Sequence, residues 1–371
     1  MSHSESVGRL PVGLGSRHRA NQHVPGGAVR FLGVDYVGDE LPSSAQPRLF
    51  VVVDTEEEFD WSAPFARDKI QVTAMAAQDR AQAVFDRHGI RPIYVIDYPV
   101  ASQPEGYQPL LSILRRGGCE IGAHLHPWTN PPFDEEVSER NSYPGNLAPA
   151  VEAAKFDVLL ETIEANLGVR PRFYKAGRFG IGPHTVQMLR ERGIAVDLSL
   201  LPGASYAASG GPDFRGLAPM PYRVDDGTLL SLPMTRGHIG ALGRFEMSLN
   251  MALDAPIARM LRLRGLLSRL MLFHKVTLSP EGATTAELTA LLAALAGRGV
   301  RSFVMFYHSP SLVPGNTPYV RTDADVVALL ARIEAVCDYF TSRLGGRIGD
   351  PAELLPTTGA GARTRSARNL T

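Results

Sequence analysis

The residues able to do chemistry fall at a few points of the chain. Asp54 and Glu56 close an apolar run in VVVDTEEEFDW (51–61). His124 and His126 stand two apart in EIGAHLHPW (120–128), and Lys175 and Arg178 in RFYKAGRFGIG (172–182). Asp197 lies in AVDLSL (195–200) and His308 in FYHSPSLVPG (306–315). Burying several carboxylates together is costly unless something positive meets them. On an extended backbone, residues i and i+2 project to the same side, so two imidazoles spaced as His124 and His126 converge on one cation. A carboxylate plus two imidazoles, with open positions left over, suits a catalytic divalent metal, zinc being the first expectation and other divalent ions open. One carboxylate would bind the ion and the other would serve as a base, with Arg178 or Lys175 behind them. His308, at a separate strand end, suits proton donation to a leaving group. The chemistry expected is metal-assisted hydrolysis with a paired acid and base.

These residues need elements that carry them to one place. RLFVVVD (48–54) is continuous rather than alternating, which predicts a strand buried on both faces. Further strands are expected at 91–97, 119–124, 171–177, 194–200 and 301–309. Helical patterns lie between them, at 72–88, 107–118, 149–167, 182–193, 285–299 and 323–344. Strand and helix alternating at this spacing predict an α/β fold with a parallel sheet, open or closed as a barrel. In such folds ligands gather beyond the carboxyl ends of the strands, where Asp54, Glu56, His124, His126, Lys175, Arg178, Asp197 and His308 all fall.

The segment 201–282 breaks the rhythm and reads as an insertion with a hairpin-like pair around 217–235 and a basic amphipathic helix within 257–275. That helix is expected to pack on the core, the other reading being a peripheral membrane contact or a contact to an anionic substrate. Residues 1–47 read as a disordered arm, 48–350 as the catalytic domain and 351–371 as a flexible tail. Trp61 and Trp128 follow two of the motifs and could form a wall for a sugar or pack beneath the site.

The 371 residues carry 38 Lys+Arg against 38 Asp+Glu, so no global field points to nucleic acid. The two cysteines, Cys119 and Cys337, set up no disulfide framework or thiolate metal site. No apolar run approaches a membrane span and no leader is visible, which predicts a cytoplasmic protein.

Taken in order, the five motifs resemble those of the polysaccharide deacetylase superfamily (NodB homology, carbohydrate esterase family 4), in particular its WalW-type lipopolysaccharide-biosynthesis branch. The resemblance runs over residues 48–345. It implies a distorted (β/α) barrel of about seven parallel strands and hydrolysis of an N-acetyl, or O-acetyl, group on a sugar in surface-polysaccharide assembly. It also implies Asp54 as general base, and Glu56, His124 and His126 as metal ligands. Arg178 or Lys175 would orient Asp54, and His308 would be the general acid with Asp197 tuning it. The chain departs from the family pattern in three places. The first motif reads Asp-Thr-Glu rather than Asp-Asp, the histidines are two apart rather than four, and Lys175 stands where arginine is usual. Glu57 thus remains an alternative ligand to Glu56. Two other functions stay open: hydrolysis of a cyclic amide or ureide on the same fold, and a non-catalytic glycan- or metal-binding module.

Overall fold

The computed structural model describes residues 27–224, 227–245 and 260–356, with isolated positions at 249, 252, 253 and 255. The first 26 residues of the expected arm, residues 357–371 of the tail, and Arg259 lie outside the described residues.

Among the described residues thirteen strands follow one another: β1 (Ala28–Phe31), β2 (Val34–Gly38), β3 (Arg48–Thr55), β4 (Ile93–Ile96), β5 (Glu120–Leu125), β6 (Phe173–Ala176), β7 (Val196–Asp197), β8 (Tyr222–Val224), β9 (Leu229–Ser231), β10 (Arg236–Ile239), β11 (His274–Thr277), β12 (Ser302–His308) and β13 (Arg347–Ile348). Strands β12, β3, β4, β5, β6, β7 and β9 lie side by side in that order, each parallel to the next. Backbone hydrogen bonds beyond β9 bring the row back to its start. Leu232 N donates to Asp197 O, Thr235 N to Val304 O at 3.2 Å, Leu278 N to Thr235 O and Phe306 N to Leu278 O. Residues 229–235, within the segment read as an insertion, thus complete a distorted ring of seven strands. The mixed α/β architecture and mostly parallel sheet are those expected.

β3 is the spine. Leu49 to Val53 are fully buried because β4 and β12 flank the strand and helices cover it. Burying each valine contributes about 1.5–3 kcal/mol relative to exposing it. Of the helices, Pro149–Leu167 stops at Gly168, whose φ of 73° is readily adopted only by glycine. The helices Thr285–Gly297 and Asp323–Asp338 start from reciprocal caps, Thr284 with Glu287 and Thr322 with Asp325.

Three places differ from the sequence reading. Residues 28–38, read as part of a disordered arm, form the hairpin β1–β2, which extends the sheet through β8. Its Tyr36 is fully buried, and that supplies the apolar anchor a loose arm would lack. The strand expected at 194–200 is regular over only two residues, the Asp197 carboxylate accepting Ser199 N at 3.0 Å, although Leu198 N still donates to Tyr174 O and Leu200 O still accepts Met234 N. The helix Leu263–Arg269 has no fully buried residue; it packs not on the main core but, through Leu263 and Leu267, on a small separate cluster with Leu253 and Phe273.

Candidate active site

Strand register does much of the assembly. His308 is the partner of Asp54 across β12 and β3, and His124 is the partner of Lys175 across β5 and β6. Both pairs sit at the carboxyl ends of their strands. Lys175 Nζ donates to Asp54 Oδ2 at 2.5 Å, and both side chains are only 2 % exposed. The same ammonium lies over the Phe179 ring at 4.1 Å. Burial alone would raise the Asp54 carboxyl, but the charges of Lys175 and His308 outweigh it and hold the group below the usual range. Asp54 is therefore a carboxylate at neutral pH, and its Oδ1 is buried with no partner among the described residues.

Beside this pair, Glu56 Oε2 lies 3.4 Å from Nε2 of both His124 and His126. One ligand atom from each of these three residues lies within 4.8 Å of the others. The outer nitrogens are already engaged. His124 Nδ1 bonds the Lys175 carbonyl at 2.8 Å and His126 Nδ1 bonds Glu57 Oε2 at 2.8 Å. A carbonyl can only accept, so His124 carries its proton on Nδ1, which leaves the Nε2 lone pair facing Glu56; the Glu57 bond favours the same tautomer in His126. Burial lowers both imidazoles, strongly for His124, which keeps them in the neutral form that binds a metal. The donor set fits a divalent cation.

Glu57 plays a different part from Glu56. It faces the outer nitrogen of His126 and accepts Trp128 Nε1 at 2.9 Å, while its own backbone N donates to Asp97 Oδ2 at 2.8 Å. Burial and the charge of Glu56 raise Glu57 to about 7, and burial and the charge of Glu57 raise Asp97 well above the carboxylate range. Gly177 allows this packing, since a Cβ there would lie 2.5 Å from His126 Cδ2.

His308 Nε2 lies 3.6 Å from Asp54 Oδ2, and its Nδ1 bonds Glu281 Oε2 at 2.8 Å. Glu281 is in turn held by Ser311 and by the backbone N of His308. Burial disfavours the imidazolium, but Glu281, Glu56 and Asp54 together overcome it and raise His308 to about 9. With its side chain 15 % exposed, His308 is the most accessible of these groups. Trp61 packs edge-on against it at 4.9 Å between ring centres and Tyr319 lies beyond Trp61 at 5.8 Å, both rings partly exposed.

Two residues expected at the site stand elsewhere. Arg178, with φ 55°, turns to Ser142 and Glu139 and covers the Tyr143 ring at 4.2 Å. Lys175 alone takes the place behind Asp54. Asp197 binds Ser199 N and Ser231 Oγ rather than His308, whose partner is Glu281. Glu281, Asp97 and the orienting role of Glu57 were not read from the sequence. Asp97 follows an apolar stretch, YVI, which is the same signal that singled out Asp54; Glu281 follows VTLSP, which Thr277 and Ser279 interrupt.

No family model matches the chain, and no curated protein matches it. Among solved structures it is similar to a candidate polysaccharide deacetylase from Mycobacterium smegmatis, at 16 % identity and a TM-score of 0.49, over 85 % of this chain and 91 % of that one. It is also similar to a family 4 carbohydrate esterase from Streptomyces lividans (10 %, 0.40, over 82 % and 94 %) and to the peptidoglycan deacetylase PdaC from Bacillus subtilis (12 %, 0.39, over 85 % and 92 %). Likeness at this level carries no weight for activity. The reading of function rests on the site's geometry and the motifs.

Proposed function

We propose that the protein is a metal-dependent hydrolase that removes an acetyl group from an acetylated sugar. The observation that carries this is the placement of Asp54, bonded to Lys175, 3.6 Å from His308, which is bonded to Glu281, beside the Glu56–His124–His126 triplet. A bound divalent ion, zinc being the first expectation, would supply Lewis acidity toward the acyl oxygen and a more acidic water. Glu56, His124 and His126 would hold it.

The chain's own groups then divide the proton work. Asp54 Oδ1, buried and unbonded, accepts the proton of the attacking water as its oxygen bonds to the acyl carbon. Lys175 keeps Asp54 ionised and fixes its orientation. His308 gives its Nε2 proton to the leaving nitrogen or oxygen as the acyl bond breaks, so the products are acetate and the freed sugar amine or hydroxyl. Glu281 keeps His308 charged until that transfer. Site burial excludes bulk water and strengthens both charge pairs. A saccharide substrate is favoured by the motif series from Asp54 to His308 and by the partly exposed Trp61 and Tyr319 rings beside the acid. Surface-polysaccharide assembly, including lipopolysaccharide, is the setting the motif resemblance favours.

The test is acetate release from a panel of N- and O-acetylated sugars after zinc loading. Wild type should release acetate, and Asp54→Asn and His308→Ala should each fall about 10²–10⁴-fold while remaining folded. No release from any acetylated sugar would sink the proposal.

A further inference from the structure

Residues 260–272 hold six of the large apolar side chains exposed among the described residues: Met260, Leu261, Leu266, Leu270, Met271 and Leu272. Met260 is 75 % exposed. The segment is not simply unfolded onto the surface. Leu263 and Leu267 of the helix Leu263–Arg269 turn inward onto a small separate core with Leu253 and Phe273. That inner contact fixes the helix, and the remaining leucines and methionines point away from it. Natural surfaces rarely gather so many large apolar groups without something to cover them.

Along the segment itself the charge is of one sign, the nearby Glu287 being taken up by His274 at 3.0 Å. No aspartate or glutamate occurs between Asp254 and Glu281, whereas Arg262, Arg264, Arg269 and Lys275 fall inside that interval. Arg262 and Arg269 are exposed. A short amphipathic segment mixing leucine, methionine and arginine with no acid matches an anionic lipid surface, where apolar groups enter the acyl boundary and guanidinium groups meet headgroup phosphates. We infer that residues 260–272 seat the protein on an anionic membrane surface. β11 and the turn after it connect the patch along the chain to Glu281.

The experiment is co-sedimentation of the full chain with vesicles of phosphatidylcholine alone and of phosphatidylcholine with an equal part of phosphatidylglycerol. Binding to the anionic vesicles only, weakened by salt, is expected. Leu266→Asp with Leu270→Asp should abolish it, and Arg269→Ala should weaken it roughly fivefold. Melting temperature and acetate release from a small soluble substrate should not change in these variants. If the aspartate pair does not fold, Arg262→Ala with Arg269→Ala carries the same test on exposed side chains. The inference fails if anionic vesicles do not sediment the protein, or if these substitutions leave sedimentation unaltered. It also fails if velocity sedimentation shows a dimer that the aspartate pair separates, with no vesicle binding, since a second copy would then be what covers the patch. Vesicle binding without acetate release would leave this surface standing and remove the proposed activity, so the two can fail separately.

Discussion

Glu281 grips His308 at two points, taking the ring Nδ1 at 2.8 Å on one carboxylate oxygen and the backbone N at 3.2 Å on the other. The double contact aims Nε2 toward Asp54 and favours the charged ring. His308 is raised from 6.5 to about 9, so its charged-state contribution to stability is complete below 6.5 and is lost as pH rises through about 9. The acid form needed for catalysis follows the same limit. Glu281→Gln removes the main opposing charge. The basic limb of kcat/KM should move from near 9 toward 6.5, and the rate at pH 8 should drop roughly tenfold or more. An unmoved basic limb would show that Glu281 only packs.

Lys175 and Asp54 form a pair with both members almost fully buried. Removing one member strands the other, at a cost of about 3–5 kcal/mol, whereas removing both does not. Lys175→Met should therefore be strongly destabilised in urea unfolding, and Asp54→Asn with Lys175→Met should recover much of that loss while staying inactive. If the two effects simply add, the ammonium and carboxylate are not coupled as their distance implies.

The strands bearing Asp54, His124, Lys175 and His308 were legible because each is a short, continuous apolar run ending in a polar residue. The hydrogen-bond register then placed those ends together, and register is not written in any one run. Lys175 and Arg178 could not be separated by composition. The choice depends on β6, which ends at Ala176 with the Lys175 side chain buried, and on the left-handed turn at Arg178 and Phe179 that swings the arginine toward Ser142. Asp197 misled because it ends a strand, yet its carboxylate is used up by Ser199 and Ser231. Glu281 escaped because it lies in 201–282, where the βα rhythm lapses and the pairing of β10 with β11 was not visible as a period.

Arg178 and Asp197 should accordingly behave as structural residues. Arg178→Ala should leave kcat/KM within about threefold, because the guanidinium touches Ser142, Glu139 and Tyr143 rather than Asp54. Asp197→Asn loosens the turn to Ser199 and the bond to Ser231. It should lower the melting temperature, with about 1–3 kcal/mol lost, and leave the pH profile of activity in place. A shift of the basic limb in Asp197→Asn would restore it as a partner of His308.

The two adjacent glutamates should separate by what they do to metal affinity. Glu56 faces Nε2 of both histidines, whereas Glu57 faces only Nδ1 of His126 and is shared with Trp128 and the Asp97 network. A ligand and an orienting partner fail differently. Glu56→Gln removes a charged donor from the ion, and zinc content after dialysis should fall to near nothing, as it should in His124→Ala and His126→Ala. Glu57→Gln keeps all three donors but loosens the His126 ring, so zinc should still bind about 10–100-fold more weakly in a chelator competition. The reverse order, with Glu57→Gln empty and Glu56→Gln loaded, would move the ion to the Glu57–Asp97–His126 group, whose ligand atoms also lie within 4.8 Å of one another. Asp54 and His308 would then have no metal ligand set beside them, and the proposed division of labour between base and acid would fail with it.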